Sequence, residues 1–164
     1  MRDHAYYMNI ALEQAAIAGE QGEVPVGAVV VMDDTVIAAA HNSVVSMDDP
    51  SAHAEVLALR RAGARLRNYR LTGTRLYVTI EPCIMCAGAM IHARIGHLIF
   101  GAYDDRSGAM TLFDAFNNGR LNHRVEVVPG INGRTASMLL RDFFKKRRAS
   151  VDTAHHRSMM PSGT

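Results

Sequence analysis

Residues 75–102 read "RLYVTIEPCIMCAGAMIHARIGHLIFGA". They place a β-branched and aromatic run, a stretch of small and apolar residues, and a second β-branched run in direct succession. Pro82 opens the middle stretch, near a first helical turn, where its missing N–H costs little. Strand, helix, strand without an intervening hairpin demands a crossover, and a crossover favours parallel pairing of the two strands. Upstream the pattern differs. "VPVGAVVVM" (24–32) and "VIAAAHN" (36–42) are joined by "DDT" (33–35), which reads as a hairpin. "MDDPSAHAEVLALRRAGARL" (47–66) then supplies a helix from about Ala52, with Ser51 as the expected N-cap. These units predict an α/β layered protein whose sheet is partly parallel.

The rest of the chain fits one domain. A helix with Tyr7, Ile10, Ala11, Ala15 and Ile17 on its apolar side is expected over residues 4–20. "VEVV" (125–128) is a short strand stopped by Pro129-Gly130, and a last helix starts near Asn132. The expected division is a folded unit over residues 1–149 and a disordered tail over 150–164, where no periodicity is sustained. At 164 residues the chain can bury a full core. No apolar run approaches the ~20 residues that cross a bilayer, and "MRDHAYYMNI" lacks the apolar stretch of a secretory signal. A cytoplasmic protein, with no membrane partner, is the expectation. Formal net charge is only +2, but "RDFFKKRRAS" (141–150) concentrates Arg141, Lys145, Lys146, Arg147 and Arg148 against the single acid Asp142.

Both cysteines of the chain, Cys83 and Cys86, stand three residues apart. Alone, such a pair is a redox couple, half of a metal site, or two small buried residues. "HAE" (53–55), thirty residues upstream at the start of the preceding helix, adds what a redox pair does not need. Cysteines at i and i+3 share one helix face, and a helix N-terminus favours the thiolate. His53 would be a third ligand, which leaves one open position. That is how a catalytic zinc keeps a water, whose pKa it lowers from about 15.7 toward about 7. Glu55 is close enough to exchange that water's proton. It shares the metal's side only if His53 lies in the first turn. Met85 and Met90 read as core filler.

H-x-E followed by P-C-x-x-C is the signature of zinc-dependent nucleobase deaminases. Beyond it, "EVPVGAVVV", the "HN" at 41–42, "DPSAHAEVLALR", "NYRL", "LYVTIEPCIMCAGAMIHARI", "FGAYD", "LNHRVEV" and "DFF" resemble the bacterial tRNA adenosine deaminase family, from about residue 5 to 148. The resemblance implies the three-layer α/β/α deaminase fold with a mixed sheet of about five strands. It implies zinc on His53, Cys83 and Cys86, and Glu55 as the proton shuttle. The substrate implied is the wobble adenosine of a tRNA anticodon stem-loop, flipped from the loop and converted to inosine, and the assembly implied is a homodimer. Asn42 is similar to the asparagine that contacts the flipped adenosine, although turn chemistry at a strand end would also explain it. Asp104 and Asn122 match positions near flanking nucleotides, or are loop residues bonding their own backbone. Phe144 and Arg148 of "DFFKKRR" would offer RNA a stacking face and a cation, while Phe143 packs inward.

One stretch departs from that family. "SGAMTLFDAF" (107–116) is one residue shorter than the usual text and lacks its G-S-L, and Tyr103 before Asp104 is atypical. The rival readings are a deaminase of free nucleobases or nucleotides, a deaminase of adenine in single-stranded DNA, and a non-catalytic RNA-binding subunit. The basic aromatic helix argues against the first, since a small substrate has no phosphate backbone. Glu55 argues against the last.

Overall fold

Strands and helices follow in the order α1 (His4–Glu20), β1 (Gly27–Met32), β2 (Thr35–His41), α2 (Ala54–Leu66), β3 (Arg75–Ile80), α3 (Ile84–Ala93), β4 (His97–Ala102), α4 (Ala109–Phe113), β5 (Glu126–Val128) and α5 (Gly133–Ser158) in a computed structural model that describes residues 2–117 and 119–158. The five strands form one sheet in the order β2-β1-β3-β4-β5. β1 pairs antiparallel with β2 and β3, whereas β3, β4 and β5 run parallel. The hairpin and the crossover expected from the sequence are thus both present, and they meet at the β1–β3 pairing.

Side chains of a strand alternate between its two faces, and here both faces are apolar. Ala28, Val30, Leu76, Val78, Leu98 and Phe100 pack toward α2 and α3. Val29, Val31, Tyr77 and Ile99 pack toward α1 and α5. The result is the three-layer α/β/α architecture, with a mixed sheet of five strands, that the sequence predicts. Asp33 and Asp34, with φ of 47° and 59°, form the two-residue turn between β1 and β2.

Several elements differ from expectation. The buried stripe of α1 is Tyr7, Met8, Ala11, Leu12, Ala15 and Ala18, while Ile17 is exposed. Met90 is core, as expected, but Met85 is exposed on α3. The short helix α4 lies in the atypical 107–116 stretch. α5 continues through residues 150–158, expected to be irregular: no Gly or Pro interrupts 134–158, and a solvated helix can extend without an apolar stripe. Residues 159–164 of that expected tail lie outside the described residues. Among the described residues no helix is long and apolar enough to cross a membrane.

α1 lies against β1 so closely that a Cβ on Gly27 would run into the Ala11 carbonyl and the Ala15 amide, both backbone. The Gly27 amide also donates to Thr79 Oγ1 at 3.2 Å, which ties β1 to β3. Gly27→Val should therefore destabilise by about 3 kcal/mol, lowering Tm by about 6–12 °C in a chain of this length. A melt within about 2 °C of wild type would show that α1 can move aside freely.

Candidate active site

Two helices start at the same end of the sheet. β3 ends at Ile80, and the chain turns through Glu81 and Pro82 into α3, whose N-cap is Cys83. α2 begins beside it, with His53 as N-cap. His53 Nδ1 lies 3.7 Å from Cys83 Sγ and 3.5 Å from Cys86 Sγ, and the two sulfurs are 3.6 Å apart. Among the described residues these three form the group able to hold a metal ion. Zinc bonds of about 2.3 Å to sulfur and about 2.0 Å to nitrogen, set at tetrahedral angles, give edges of about 3.8 and about 3.5 Å. The observed triangle matches one face of such a tetrahedron, so the donor set fits the ion.

The local electrostatics agree. A hydrogen bond from Cys86, reinforced by His53, brings the Cys83 thiol down to about 4. The Cys86 thiol, donating to that sulfur and buried, is pushed up. The contact with Cys83 raises the His53 imidazole. A bound metal would take both cysteines as thiolates and release their protons. Glu55, in the first turn of α2 and 3% exposed, has its carboxyl pushed up to about 7 by burial. A carboxyl that titrates near neutrality can both accept and return a proton.

Ser51 is not the cap of α2. Its amide and hydroxyl both donate to Asp49 Oδ1, at 2.8 and 2.7 Å. The orphan amide of Ala54 instead donates to Oδ1 of Asn42, at 2.9 Å, from the end of β2. Asn42 thus caps a helix twelve residues downstream, and its Nδ2 has no hydrogen bond among the described residues.

Asn42, His53, Glu55, Cys83 and Asp104 line one cavity of about 340 Å³. A larger hollow of about 860 Å³, bordered by His97, Phe116 and His123, contains none of the metal-binding group. The carboxylate of Asp104 accepts from the amides of Arg106 and Ser107 and from the Ser107 hydroxyl, so it shapes its own turn. Asn122, Phe144 and Arg148 lie outside the cavity lining. Asn122 is exposed, and its carbonyl accepts from Arg94 Nη1. Phe144 is exposed beside half-buried Phe143, their rings edge to face at 5.4 Å. From α5 it is Arg147, not Arg148, that reaches the cavity.

Two buried acids escaped the sequence expectations. Glu23, 2% exposed, accepts from the amides of Val45 and Ser46 at 3.2 and 2.8 Å. Burial alone would raise its carboxyl, but those amides outweigh it and the net direction is down. Glu81, 1% exposed, accepts from the amides of Asp104, Met110 and Thr111 and from the Thr111 hydroxyl. Both line the cavity. Glu81 stands between apolar Ile80 and Pro82, and Glu23 only borders the apolar run that starts at Val24, so neither position announces burial.

Asn42→Ala should leave the Ala54 amide unpaired and cost about 1–2 kcal/mol, seen as a lower denaturation midpoint. An unchanged midpoint would show that the cap contributes nothing to α2.

Residues 2–148 match the family of MafB19-like deaminases. The chain is similar to the tRNA-specific adenosine deaminase of Haemophilus influenzae, 46% identical over 143 residues, which are 86% of this chain and 83% of the relative. It is likewise 46% identical over 149 residues to the tRNA-specific adenosine deaminase of Aquifex aeolicus, 89% of this chain and 97% of that one. Among solved structures, one from a study of A-to-I editing by tRNA:A34 deaminases superposes with a TM-score of 0.80 at 40% identity, covering 84% of this chain and 100% of the other. The guanine deaminase of Nitrosomonas europaea superposes at 0.71 with 26% identity, covering 87% of this chain and 85% of that one.

Proposed function

The chain belongs to the tRNA-specific adenosine deaminase family, and we propose that His53, Cys83 and Cys86 hold zinc for its reaction while Glu55 carries the protons. The reaction is hydrolytic deamination of adenosine to inosine in tRNA, at the wobble position of the anticodon loop. The observation that carries the residue roles is the buried Glu55 carboxyl beside a ligand triangle of tetrahedral dimensions, inside a cavity of about 340 Å³.

When bound, the ion supplies the Lewis acidity that makes water a nucleophile near neutral pH. Water adds to C6 of adenine, and Glu55 takes one of its protons and places it on N1. The second proton travels through the same carboxylate to the exocyclic amino group. The C6–N bond then breaks and ammonia leaves, so that C6 carries a carbonyl and N1 keeps its proton. Nδ2 of Asn42 is the free donor for N7 or a ribose oxygen of the flipped nucleoside.

Asp104, Asn122, Phe144, Arg147 and Arg148 are proposed to meet the RNA around the flipped base, with the stem-loop running along α5. Residues 1–149 make up the catalytic unit. The chain acts as a homodimer. Exposed Ile84 and Met85 at the start of α3, and exposed Tyr69, support that assembly. Its compartment is the cytoplasm, where tRNA is processed. The guanine deaminase likeness favours a second reading, deamination of a free base. It is the weaker, because it is 26% identical against 40% for the tRNA:A34 deaminase structure.

Purified protein should form inosine in an anticodon stem-loop and leave free adenosine, guanine and cytidine unchanged. Glu55→Ala should retain metal and RNA binding while turnover falls by at least about 10²-fold. Release of ammonia from guanine alone would establish the second reading. A Glu55→Ala variant with a third of the wild-type rate would remove the shuttle role.

Neutralising Lys145, Lys146, Arg147 and Arg148 together should weaken RNA binding and flatten its salt dependence, by up to about 0.7 log units per lost single-strand contact. Turnover at saturating RNA should change much less. An unchanged salt slope would make this part of α5 a solvated face.

A further inference from the structure

Tyr103 is 59% exposed, and it directly precedes Asp104, which lines the catalytic cavity. It does not dangle. Its ring sits edge to face on Phe100, centroids 5.1 Å apart at 88°, and Phe100 is fully buried in the core beneath α2 and α3. Its backbone is held from both sides. Ala102, the last residue of β4, accepts from the Glu81 amide at 2.7 Å, and the next residue, Asp104, donates its own amide to Glu81 Oε2 at 3.0 Å. The loop then closes on itself through Gly108 N to Asp104 O at 2.9 Å. Ala109 N donates to Pro82 O at 2.9 Å, and an isolated bridge joins Gly108 to Cys83. Tyr103 is therefore fixed to the scaffold that positions a metal ligand, and the residue after it lines the cavity.

We propose that Tyr103 is a specificity-determining residue, a rigid stacking platform for a nucleobase that neighbours the flipped adenosine in the RNA, with Glu81 as the positioning residue that holds it there. This rests on the reading of the substrate as a polynucleotide.

A pre-ordered aromatic ring loses little conformational freedom on contact, and base–aromatic stacking tolerates any base because each has a π-face. When one nucleotide is flipped into a pocket, its neighbours lose a stacking partner. An exposed ring one residue from the pocket lining replaces that partner. Lys or Arg at the same place would hold a phosphate and carry the salt dependence of one, whereas Tyr103 adds affinity that salt does not screen. A free nucleobase in the cavity has no neighbour to stack, so Tyr103 serves only a longer substrate.

The test uses the full chain, an anticodon stem-loop, and the same RNA carrying an abasic nucleotide 5′ or 3′ of the target. Tyr103→Ala should raise KM for the intact RNA roughly 5- to 100-fold with kcat changed less than about twofold, while Tyr103→Phe stays near wild type. One of the two abasic RNAs should cost wild type about what Tyr103→Ala costs, and should cost Tyr103→Ala little more. Glu81→Gln should raise KM in the same direction and lose most of the further effect of Tyr103→Ala. Thermal melts on each variant separate these effects from unfolding. An unchanged KM in Tyr103→Ala overturns the proposal. So does an equal loss in Tyr103→Phe, or abasic penalties that simply add to that of Tyr103→Ala at both positions. Wild-type protein that deaminates no RNA overturns the functional reading instead.

Discussion

Everything near the site follows from two helix N-termini meeting at one end of β3. Each presents unpaired amides and partial positive charge. Apposed in a half-buried setting, they would repel without anions between them. The Cys83 sulfur, whose thiol is brought down, and the Asn42 oxygen supply that negative density. The parallel register then fixes the surroundings. Ile80 pairs with Ala102, so the chain leaving β3 and the chain leaving β4 emerge side by side. Glu81 can for that reason reach Asp104, Met110 and Thr111, residues more than twenty positions away.

The chemistry was legible in the sequence because its residues are local. His53 and Glu55 share a helix start, Cys83 and Cys86 share a helix turn, and the strand–helix–strand text of 75–102 forces the crossover that joins them. What was not legible depends on contacts between distant segments. Ser51 is a good cap by type, but Asp49 is nearer to it, and the cap came from Asn42 on another element. The substrate reading and the turn-chemistry reading of Asn42 were set against each other as alternatives. One amide has two ends: Oδ1 caps α2, and Nδ2 has no hydrogen bond among the described residues. Arg148 was expected to offer RNA a cation, and the structure adds Arg147 at the cavity edge, since one residue turns a helical side chain by about 100°.

Glu23 and Glu81 show why lone acids are hard to read. An acid without a nearby basic residue in sequence suggests a solvated side chain, and both are instead almost fully buried. Neither carboxylate has an ion-pair partner among the salt bridges of the described residues. Backbone amides of distant loops satisfy them, a compensation that no residue type announces. The linkage sign is clear for Glu23. Its folded pKa lies below its ordinary value, so its stabilising contribution is complete above the unfolded value of about 4.3 and is lost only as pH falls through the folded one. The wall it supports is intact across the neutral range in which the Glu55 carboxyl titrates.

The two buried acids also bear on how one scaffold serves different substrates. A guanine deaminase superposes on this chain nearly as well as a tRNA:A34 deaminase does, so the overall frame does not select the base. Selection has to reside in the walls and rim: the loop held by Glu23, the loop held by Glu81, and the middle of α5, which brings in Arg147. A wall that is already ordered adds no ordering cost when a flexible RNA loop docks against it, so more of each contact appears as affinity. The atypical 107–116 stretch shows how such a wall can be rebuilt. Thr111 supplies both an amide and a hydroxyl to Glu81 from within the first turn of α4, so the clamp and the helix start coincide. Gly108 is the residue that allows this, because a Cβ there would collide with the Glu81 carboxylate and the Asp104 carbonyl. The rim can therefore vary in length and in the side chain at position 103 while the clamp beneath it keeps the cavity in place.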